Sequence, residues 1–468
     1  MTLLWKFSAT ELARDFRTGD ITPTEIALAC LARLDAVNPS LNAIIARRDD
    51  AFLAEAQAAS ERFERGTPLS MLDGIPLSIK DNIPMAGLPT TWGSLALRDY
   101  VPTLDEWVVT RARTAGALII GKTNVPEFTL DGYTGNLLFG TTRNPWDPAL
   151  TPGGSSGGAV TAVSAGITPL AIGTDGGGSI RRPASHTGLV GLKPSLGAIA
   201  RGNMLPPLLM DFEVVGPMGR TVADVRMLFD ILRGPVEADR ASLAAAQAIA
   251  GRSKKPTRNR RILFVERLGA APLDPQIAAS VRAAVEVFAG LGHAVEVGDL
   301  PLDLDFINAA WPQVGAIGLD NLFAKYPAWS QGVAPKYLEM AAQARQLPAS
   351  RVLAIMDAVD ALRRQATTLF NDFDVVLTPS AAALPWQADQ PTPTEIDGQA
   401  VGPRGHAIYT SWVNVTGLPA VSVPCAPSAQ GLPIGLQLIG GYGADLEILE
   451  LADAFETAQP WAGRWPAM

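Results

Sequence analysis

The chain has 468 residues, of which 47% are hydrophobic and 18% are charged, and its formal net charge is −8 at pH 7. A chain of this length and composition can bury a large apolar core. Because its acidic balance lacks the basic surface that a phosphate backbone requires, we expect no nucleic-acid partner.

The two cysteines, Cys30 and Cys425, are too few to form a framework of disulfides, and neither lies in a Cys/His cluster. With only three histidines in the chain, we expect no metal and no cofactor. No apolar run is long enough to span a bilayer and no leader pattern opens the sequence, so we expect no membrane association. A reducing, cytoplasmic location fits these features.

The first part of the chain is predicted to be helical. Ser8 with Glu11, and Thr22 with Glu25, match the S/T-x-x-E capping box that marks the start of a helix. A third, exposed helix is expected over residues 50–65, which are rich in Ala, Glu and Arg.

A strand is predicted next, because Ile75, Leu77 and Ile79 alternate with other residues at the period of a strand. Glycine-dense loops follow at residues 151–158 and 173–181. The other elements predicted in this part are helix Glu106–Ala115, strand Ala117–Ile120, a helix of small residues over Ala159–Ala165 and strand Leu170–Ile172.

The second half begins with residues 237–260, a polar, Ala-rich stretch interpreted as a surface insertion. Strand Ile262–Val265, helix Pro275–Leu291 and strand Ala294–Val297 then form a plausible β-α-β unit. The remaining predictions are helical residues 335–371 with a break near Pro348, strands at 375–377, 420–423 and 434–439, and helix Asp445–Thr457. Strands and helices mixed along the whole chain indicate one large α/β unit.

The two glycine loops contain the candidate nucleophiles. The first loop surrounds Ser155 with glycines, and the second places Gly176, Gly177 and Gly178 directly before Ser179. A run of exposed N–H groups can donate to an oxyanion as it forms, and a serine at the end of that run can attack the same carbonyl. One such loop alone is more typical of a tight turn, but two loops together with a lysine in an apolar strand favour a catalytic site.

A serine nucleophile needs a base. The histidines, His186, His293 and His406, have no supporting motif and are interpreted as structural or exposed. Lys80 lies among apolar neighbours, and burial lowers the pKa of an amine until its neutral form can accept a proton near neutral pH. The alternative for Lys80 is an ion pair with Asp81 or another acid.

Eight segments in order resemble the amidase signature family. The match is dense from about residue 70 to 230, returns from about 405 to 458 and is weak between them. The segments are 74–82 (GIPLSIKDN), 121–124 (GKTN), 142–147 (TRNPWD), 152–158 (PGGSSGG), 173–181 (GTDGGGSIR), 188–194 (GLVGLKP), 216–222 (GPMGRTV) and 431–440 (GLPIGLQLIG).

This resemblance implies a role for each candidate residue. Ser179 is the expected acylated nucleophile, Ser155 is the bridging serine after a cis peptide at Gly154, and Lys80 is the terminal base. The expected oxyanion hole consists of the backbone N–H groups of Gly176, Gly177, Gly178 and Ser179. The family often has Thr or Ile where Gly176 stands, but N–H donation does not need a side chain.

The resemblance also implies the fold and its division. The fold is α/β, a single large α/β/α unit over residues 1–468 with a central mixed sheet flanked by helices. Within it we expect an N-terminal helical part, a catalytic signature core, a variable part that shapes the substrate site and a C-terminal return to the core. These parts cover residues 1–69, 70–230, 237–404 and 405–468.

The predicted reaction is hydrolysis of amide-type C–N bonds in an aryl or alkyl amide, with carbamates and esters left open. Residues 203–212 are rich in Met and Leu, which suits adaptable apolar contacts. Residues 128–138 could add aromatic walls, as could Trp311, Trp329 and Trp386, although each tryptophan alone is more typical of a core.

Five residues near the two loops are candidate substrate contacts, and Arg181 is expected to brace the nucleophile loop. Arg182 could meet a substrate carboxylate, although an ion pair is as good an interpretation. The candidates are Gly153, Gly154, Arg182, Met204 and Leu205.

Three other functions compete with this prediction. Residues 116–123 match the P-loop pattern, but their apolar, strand-like centre and the following Pro126 argue against nucleotide binding. Some members of the family are glutamine-hydrolysing subunits of tRNA-dependent amidotransferases, but the segments expected of them are not evident in residues 300–400. An inactive binding scaffold conflicts with the intact Lys80, Ser155 and Ser179. The expected partner is a small-molecule amide or carbamate, and a homo-oligomer is left open.

Overall fold

The computed structural model describes residues 3–252 and 259–468. Helices in this part are α1 (Ala9–Thr18), α2 (Pro23–Leu41), α3 (Asp49–Glu64), α4 (Trp107–Thr114), α5 (Gly157–Ser164), α6 (Arg181–Thr187), α7 (Val222–Leu232), α8 (Arg240–Gly251), α9 (Pro275–Gly290), α10 (Asp305–Lys325), α11 (Pro335–Ala344), α12 (Ala349–Asp372), α13 (Ser411–Val415) and α14 (Asp445–Ala458).

The same residues form one large sheet and two small hairpins. The strands of the sheet are β1 (Ile44–Arg47), β2 (Pro76–Lys80), β3 (Leu118–Thr123), β4 (Leu170–Asp175), β5 (Val190–Lys193), β6 (Val214–Gly219), β7 (Arg261–Phe264), β8 (Ala294–Val297), β9 (Val375–Pro379), β10 (Ala420–Pro424) and β11 (Gly435–Gly440). The hairpins pair Gly135–Asn136 with Gly140–Thr141 and Glu395–Ile396 with Gln399–Ala400.

The sheet has eleven strands in the order β1-β3-β2-β4-β6-β5-β10-β11-β9-β7-β8. Strand β2 runs parallel to β3 and β4, and β7 runs parallel to β8 and β9. The other pairs are antiparallel. The sheet is therefore mixed, as predicted.

Helices cover both faces of this sheet. In β3, Ile119 packs into the main apolar core, whereas its neighbours Leu118 and Ile120 pack into a second cluster with Leu34 of α2 and Ala162 of α5. Successive side chains of a strand point to opposite faces, so the two clusters lie on opposite sides of the sheet. The layers form the predicted α/β/α arrangement.

The local signals for helix starts are confirmed. Ser8 and Thr22 accept hydrogen bonds from the N–H groups of Glu11 and Glu25, and both capping boxes are complete. The predicted β-α-β unit is also confirmed, because β7 and β8 are parallel neighbours joined through α9. The third helix is less exposed than expected, since it buries Phe52.

Two parts of the second half differ from the prediction. The stretch 237–260 contains α8, which buries Ala245 in the main core and is more than a surface insertion; residues 253–258 of that prediction lie outside the described residues. Helix α10 was not predicted, and it contains Pro312. No helix in residues 3–252 or 259–468 is long and apolar enough to cross a membrane.

The parallel pairing of β2 and β4 positions the site. Leu77 pairs with Leu170 and Ile79 with Ile172, so the carboxyl ends of both strands lie at the same edge of the sheet. Lys80 ends β2 there, and Asp175 ends β4 and leads into the second glycine loop.

Candidate active site

Lys80 is completely buried, and its amine faces oxygen atoms. Lys80 Nζ lies 2.9 Å from Ser155 Oγ, 2.8 Å from Thr174 Oγ1 and 3.1 Å from the Thr174 carbonyl oxygen. Burial lowers the pKa of Lys80 to about 7, against the opposing influence of the Glu213 and Asp175 charges. A substantial fraction of this amine is therefore neutral at neutral pH and can accept a proton.

Asp81, the alternative partner of Lys80, is engaged elsewhere. Its carboxylate lies 3.3 Å from Lys122 Nζ and accepts hydrogen bonds from Thr91. Lys122 belongs to the P-loop-like segment, where strand β3 forms as predicted and the amine is buried. The Lys80 amine is thus left to Ser155 and Thr174.

Ser155 follows a tightly packed glycine pair, and the Gly154–Ser155 peptide bond is cis, as the resemblance implies. A Cβ atom at Gly154 would lie 2.3 Å from the Tyr133 carbonyl oxygen, and one at Gly153 would lie 3.0 Å from His186 Nδ1. Both glycines pack against neighbouring protein and do not line the cavity that contains Ser179. Their predicted role as substrate contacts is not supported, because close packing accounts for both.

Asp175 and Arg181 brace the second glycine loop. Arg181 Nε and Nη2 donate to the Asp175 carboxylate at 3.0 and 2.9 Å, and Arg181 Nη1 donates to Gln437 Oε1 at 2.6 Å. Burial favours the protonated carboxyl, but the Arg181 charge outweighs it and holds the pKa of Asp175 below its ordinary range. These contacts confirm the predicted bracing by Arg181.

One predicted oxyanion donor is already engaged. The Gly178 N–H donates to Asp175 Oδ1 at 2.7 Å, with Gly178 at φ +114°. An N–H group that donates to the Asp175 carboxylate is not available to donate to an oxyanion in the cavity. The proposed oxyanion hole is therefore narrowed to the N–H groups of Gly176, Gly177 and Ser179.

Ser179 lies at the end of the second glycine loop, which contacts the first. The Ser156 N–H donates to the Ser179 carbonyl oxygen at 3.2 Å and joins the loops through their backbones. Among residues 3–252 and 259–468, the Ser179 hydroxyl makes no hydrogen bond. The structure thus forms the Lys80–Ser155 contact and leaves the Ser179 hydroxyl at the cavity.

The cavity that contains Ser179 has a volume of about 630 Å³. Trp311 lines it, as do Thr129–Gly132 from the predicted stretch 128–138 and Leu209 from 203–212. Trp329 instead contacts Tyr326, and Trp386 packs against the ring of the cavity residue His406. The remaining lining residues are Gly177, Arg182, Asn308, Pro312, Gly315, Met340, Thr392, Gly402–Ile408 and Ser411.

Met204 and Leu205 do not line this cavity, so their role as substrate contacts stays a prediction. Leu205 packs into an apolar cluster with Trp92 and Phe128. Met204 faces a second cavity of about 700 Å³, on the side of Trp329. Leu209, four residues after Leu205, does line the Ser179 cavity. Proximity in sequence therefore does not place Met204 and Leu205 at that cavity.

One wall of the Ser179 cavity is polar. Arg182 Nη1 lies 2.7 Å from His406 Nε2, and Arg404 from the same loop as His406 completes this wall. Sequence reasoning missed Arg404 and interpreted His406 as structural, because no local signal connects residues 404–406 with the loop after Ser179. The other histidines do not line the cavity: His186 lies 3.2 Å from the Ala383 carbonyl oxygen, and His293 accepts from the Arg260 N–H.

Within the part of the chain that the structure describes, no group of three or more His, Cys, Asp and Glu side chains could hold a metal ion. The site contains a buried amine, two serine hydroxyls and backbone N–H groups, which are the groups that a serine hydrolase uses.

Known proteins are similar to this chain in both sequence and fold. The family described as Amidase matches residues 25–449. An acylamidase from Rhodococcus erythropolis is 35% identical over 98% of this chain and 97% of its own length. One of the subunits of glutamyl-tRNA(Gln) amidotransferase from Symbiobacterium thermophilum is also 35% identical, over 96% of each chain.

Two solved structures match the fold with a TM-score of 0.88 and 29% sequence identity. One is a bacterial aryl acylamidase of the amidase signature family, matched over 98% of this chain and 99% of that one. The other is 6-aminohexanoate cyclic dimer hydrolase in complex with its substrate, matched over 99% of both chains. Fold and relatives together define a hydrolase of amide C–N bonds. The chain belongs to the amidase signature family.

Proposed function

We propose that this enzyme hydrolyses aryl and alkyl amides through an acyl-enzyme on Ser179, with Ser155 and Lys80 as the proton relay. The observation that carries the proposal is the 2.9 Å contact between Lys80 Nζ and Ser155 Oγ, made by a fully buried amine whose pKa is lowered to about 7. A neutral amine in contact with a hydroxyl is suited to act as a general base.

The proposed reaction has two halves. Ser179 Oγ attacks the amide carbon while its proton passes to Ser155 and the Ser155 proton passes to Lys80. The oxyanion receives hydrogen bonds from the loop, where one such donor contributes about 3–4 kcal/mol of transition-state stabilisation. The proton then returns through Ser155 to the departing nitrogen, and water releases the acyl group by the same relay.

The cavity supports a substrate with an apolar part. Leu130, Leu209, Trp311 and Met340 are among its lining residues, and its volume of about 630 Å³ is that of a small-molecule site. Carbamates and esters present the same carbonyl to Ser179, so we include them as candidate substrates. Matched anilides, carbamates and aryl esters with a common acyl group would rank the three classes.

Replacing Ser179 tests the nucleophile. We expect Ser179→Ala to lower kcat for a 4-nitroanilide by at least about a thousandfold and to abolish covalent labelling by a fluorophosphonate probe. A Ser330→Ala variant, changed outside the cavity, serves as a matched control and should keep both. Retained turnover in a folded Ser179→Ala variant would refute the acyl-enzyme proposal.

The relatives support one alternative within the family, a glutamine-hydrolysing subunit of a tRNA-dependent amidotransferase. An ammonia-release assay with glutamine, with and without candidate partner subunits, separates the two functions. The acylamidase proposal predicts slow glutamine hydrolysis compared with an anilide and no stimulation by a partner. Partner-stimulated glutamine hydrolysis would favour the alternative.

A further inference from the structure

Two arginines in the Ser179 cavity have no acidic partner. Arg182 is 6% exposed, and its Nε atom is buried without a hydrogen bond. Arg404 Nη2 is also buried without one. Neither arginine forms an ion pair with any residue that the structure describes.

The carboxylates near this wall are committed to other groups. Asp175 is held by Arg181 from below the loop. Asp131, which also lines the cavity, lies 2.6 Å from Lys336 Nζ and accepts from the Tyr337 hydroxyl at 2.9 Å. The wall formed by Arg182 and Arg404 therefore keeps its positive charge.

His406 positions Arg182 without neutralising it. A guanidinium only donates, so His406 Nε2 accepts the hydrogen bond from Arg182 and the ring proton lies on Nδ1. Burial, together with the Arg182 charge, lowers the pKa of His406 well below its ordinary value and keeps the ring neutral. Its Nδ1 is buried without a partner and adds a further unused polar atom.

Arg404 is fixed by an aromatic ring. Its guanidinium carbon lies 4.7 Å from the centroid of Trp311, and Trp311 itself stacks on Phe212. Stacking occupies the face of the guanidinium and leaves its N–H groups, which lie in the plane, free to bind a planar anion.

Leaving guanidinium N–H groups buried without a partner, on arginines that have no acidic neighbour in an ion pair, is costly unless a ligand supplies the opposite charge. We propose that the preferred substrate is an amide that carries a carboxylate, which binds between Arg182 and Arg404 while its apolar part lies against Trp311 and Leu209. This inference rests on the proposed function, and it specifies the substrate class of the same cavity. Arginine–carboxylate pairs supply the geometric selectivity that such a site needs.

Two pairs of substrates test the charge on each side of the scissile bond. Succinyl 4-nitroanilide and butyryl 4-nitroanilide differ by a carboxylate in the acyl group. 4-Acetamidobenzoate and 4-acetamidotoluene differ by one in the leaving group. We expect kcat/KM for the charged member to exceed that of the neutral member by about tenfold or more in one pair, mainly through a lower KM. A ratio of one or less in both pairs would overturn the inference.

Variants of the wall test its residues. Arg404→Gln and Arg182→Gln should each lower the charged-to-neutral ratio of the preferred pair several-fold, and Arg404→Lys should restore part of it. The matched control is Arg345→Gln, which removes an exposed arginine paired with Asp320 and should leave the ratio unchanged. An unchanged ratio in both wall variants would overturn the assignment of the wall.

A measurement on the unmodified enzyme covers the case in which a wall variant fails to fold. Succinate or benzoate should compete with the neutral anilide, whereas the uncharged succinamide or benzamide should compete much less. Equal inhibition by charged and uncharged compounds would count against the wall. If no anilide is hydrolysed through Ser179, the proposed function itself fails; if neutral anilides are hydrolysed and charge has no effect, only this inference fails.

Discussion

At the scale of single residues, three fully buried lysines show how surroundings decide the role of an amine. Lys122 has the Asp81 carboxylate at 3.3 Å, and Lys193 donates to the Pro194 carbonyl oxygen at 2.8 Å. Lys80 alone of these three contacts a serine hydroxyl beside the second glycine loop. Burial lowers the pKa of Lys80, and the neighbouring hydroxyl gives the neutral amine a proton to accept.

The pKa of Lys80, lowered to about 7, predicts the pH dependence of acylation. In the proposed relay the neutral amine is the active form, so activity is expected to be lost as pH falls through the pKa of Lys80. We expect kcat/KM for a neutral anilide to fall about tenfold per pH unit below that pKa and to level off above it. Single-turnover acylation between about pH 5 and pH 9 measures this, with circular dichroism at the acidic end as the control for unfolding. A flat profile would contradict a neutral-lysine base.

Arg181 offers a test of the brace under the nucleophile loop. Arg181→Met leaves the buried Asp175 carboxylate without its cation, and we expect the free energy of unfolding to fall by about 3–5 kcal/mol. The control is Arg226→Met in the exposed Arg226–Asp230 pair, where the loss should stay below about 1 kcal/mol. Urea unfolding compares both variants with the unmodified chain, and equal losses would mean that the brace contributes nothing beyond a surface pair.

At the scale of elements, helix α5 carries glycine where helix propensity argues against it. A Cβ atom at Gly158 would lie 2.4 Å from Asn124 N and 2.8 Å from the Ala43 carbonyl oxygen. Both are backbone atoms, which cannot move aside as a flexible side chain can. The first turn of α5 therefore packs directly on the backbone next to β3, and this contact holds the Ser155 loop against the sheet.

This packing predicts opposite effects for two glycine-to-alanine changes in helices. Alanine is favoured over glycine in a helix by about 0.5–1 kcal/mol. At Gly290, where an added Cβ meets nothing within 4 Å, we expect Gly290→Ala to stabilise by about that amount. At Gly158 the steric conflict outweighs it, and Gly158→Ala should destabilise by about 1–3 kcal/mol. Thermal unfolding of both variants measures these changes in stability. A stabilised Gly158→Ala variant would contradict the close contact between Gly158 and the neighbouring backbone.

Elements with a strong local signal could be predicted from the sequence, and others could not. The capping boxes fixed the starts of α1 and α2, and alternating apolar residues located β2 within a residue. Helix α10 gave no such signal, because Pro312 and Gly318 both disfavour a helix. Gly318 is needed for packing, since a Cβ there would lie 2.2 Å from the Leu208 carbonyl oxygen. Tertiary contacts override the propensity of this segment.

The same distinction applies to the site. Lys80, Ser155 and Ser179 lie in dense motifs, so their candidacy followed from sequence and resemblance. The wall formed by Arg182 and Arg404 joins segments that are far apart in the chain, and Met204 was expected at a cavity that it does not line. Which loops meet across a cavity is decided by the assembled fold and not by local pattern.

At the scale of the whole molecule, one sheet joins distant parts of the chain. Strands β7, β8 and β9 come from residues 237–404, and β9 pairs with β11 through a five-residue antiparallel register from Val375 to Pro379. Residues 237–404 are thus joined by hydrogen bonds to the same sheet that contains β2 and β4.

This continuity predicts cooperative unfolding of the variable part with the rest of the chain. In urea, transitions followed by tryptophan fluorescence and by far-UV circular dichroism should coincide, because separating β9 from β11 exposes apolar surface on both. In differential scanning calorimetry, we expect the van't Hoff enthalpy of unfolding to equal the calorimetric enthalpy. Two separated transitions would instead show that residues 237–404 fold as a unit of their own.

The reacting groups and the cavity wall lie on different parts of this architecture. Lys80 ends β2 and the second glycine loop follows β4, whereas Trp311, Met340 and Ile408 belong to helices and a loop outside those strands. We expect that randomising these three lining positions would generate a library whose members recognise different substrates while sharing the proposed bond-breaking step. Because of the same separation, substitutions confined to these lining residues could change the preferred amide during evolution.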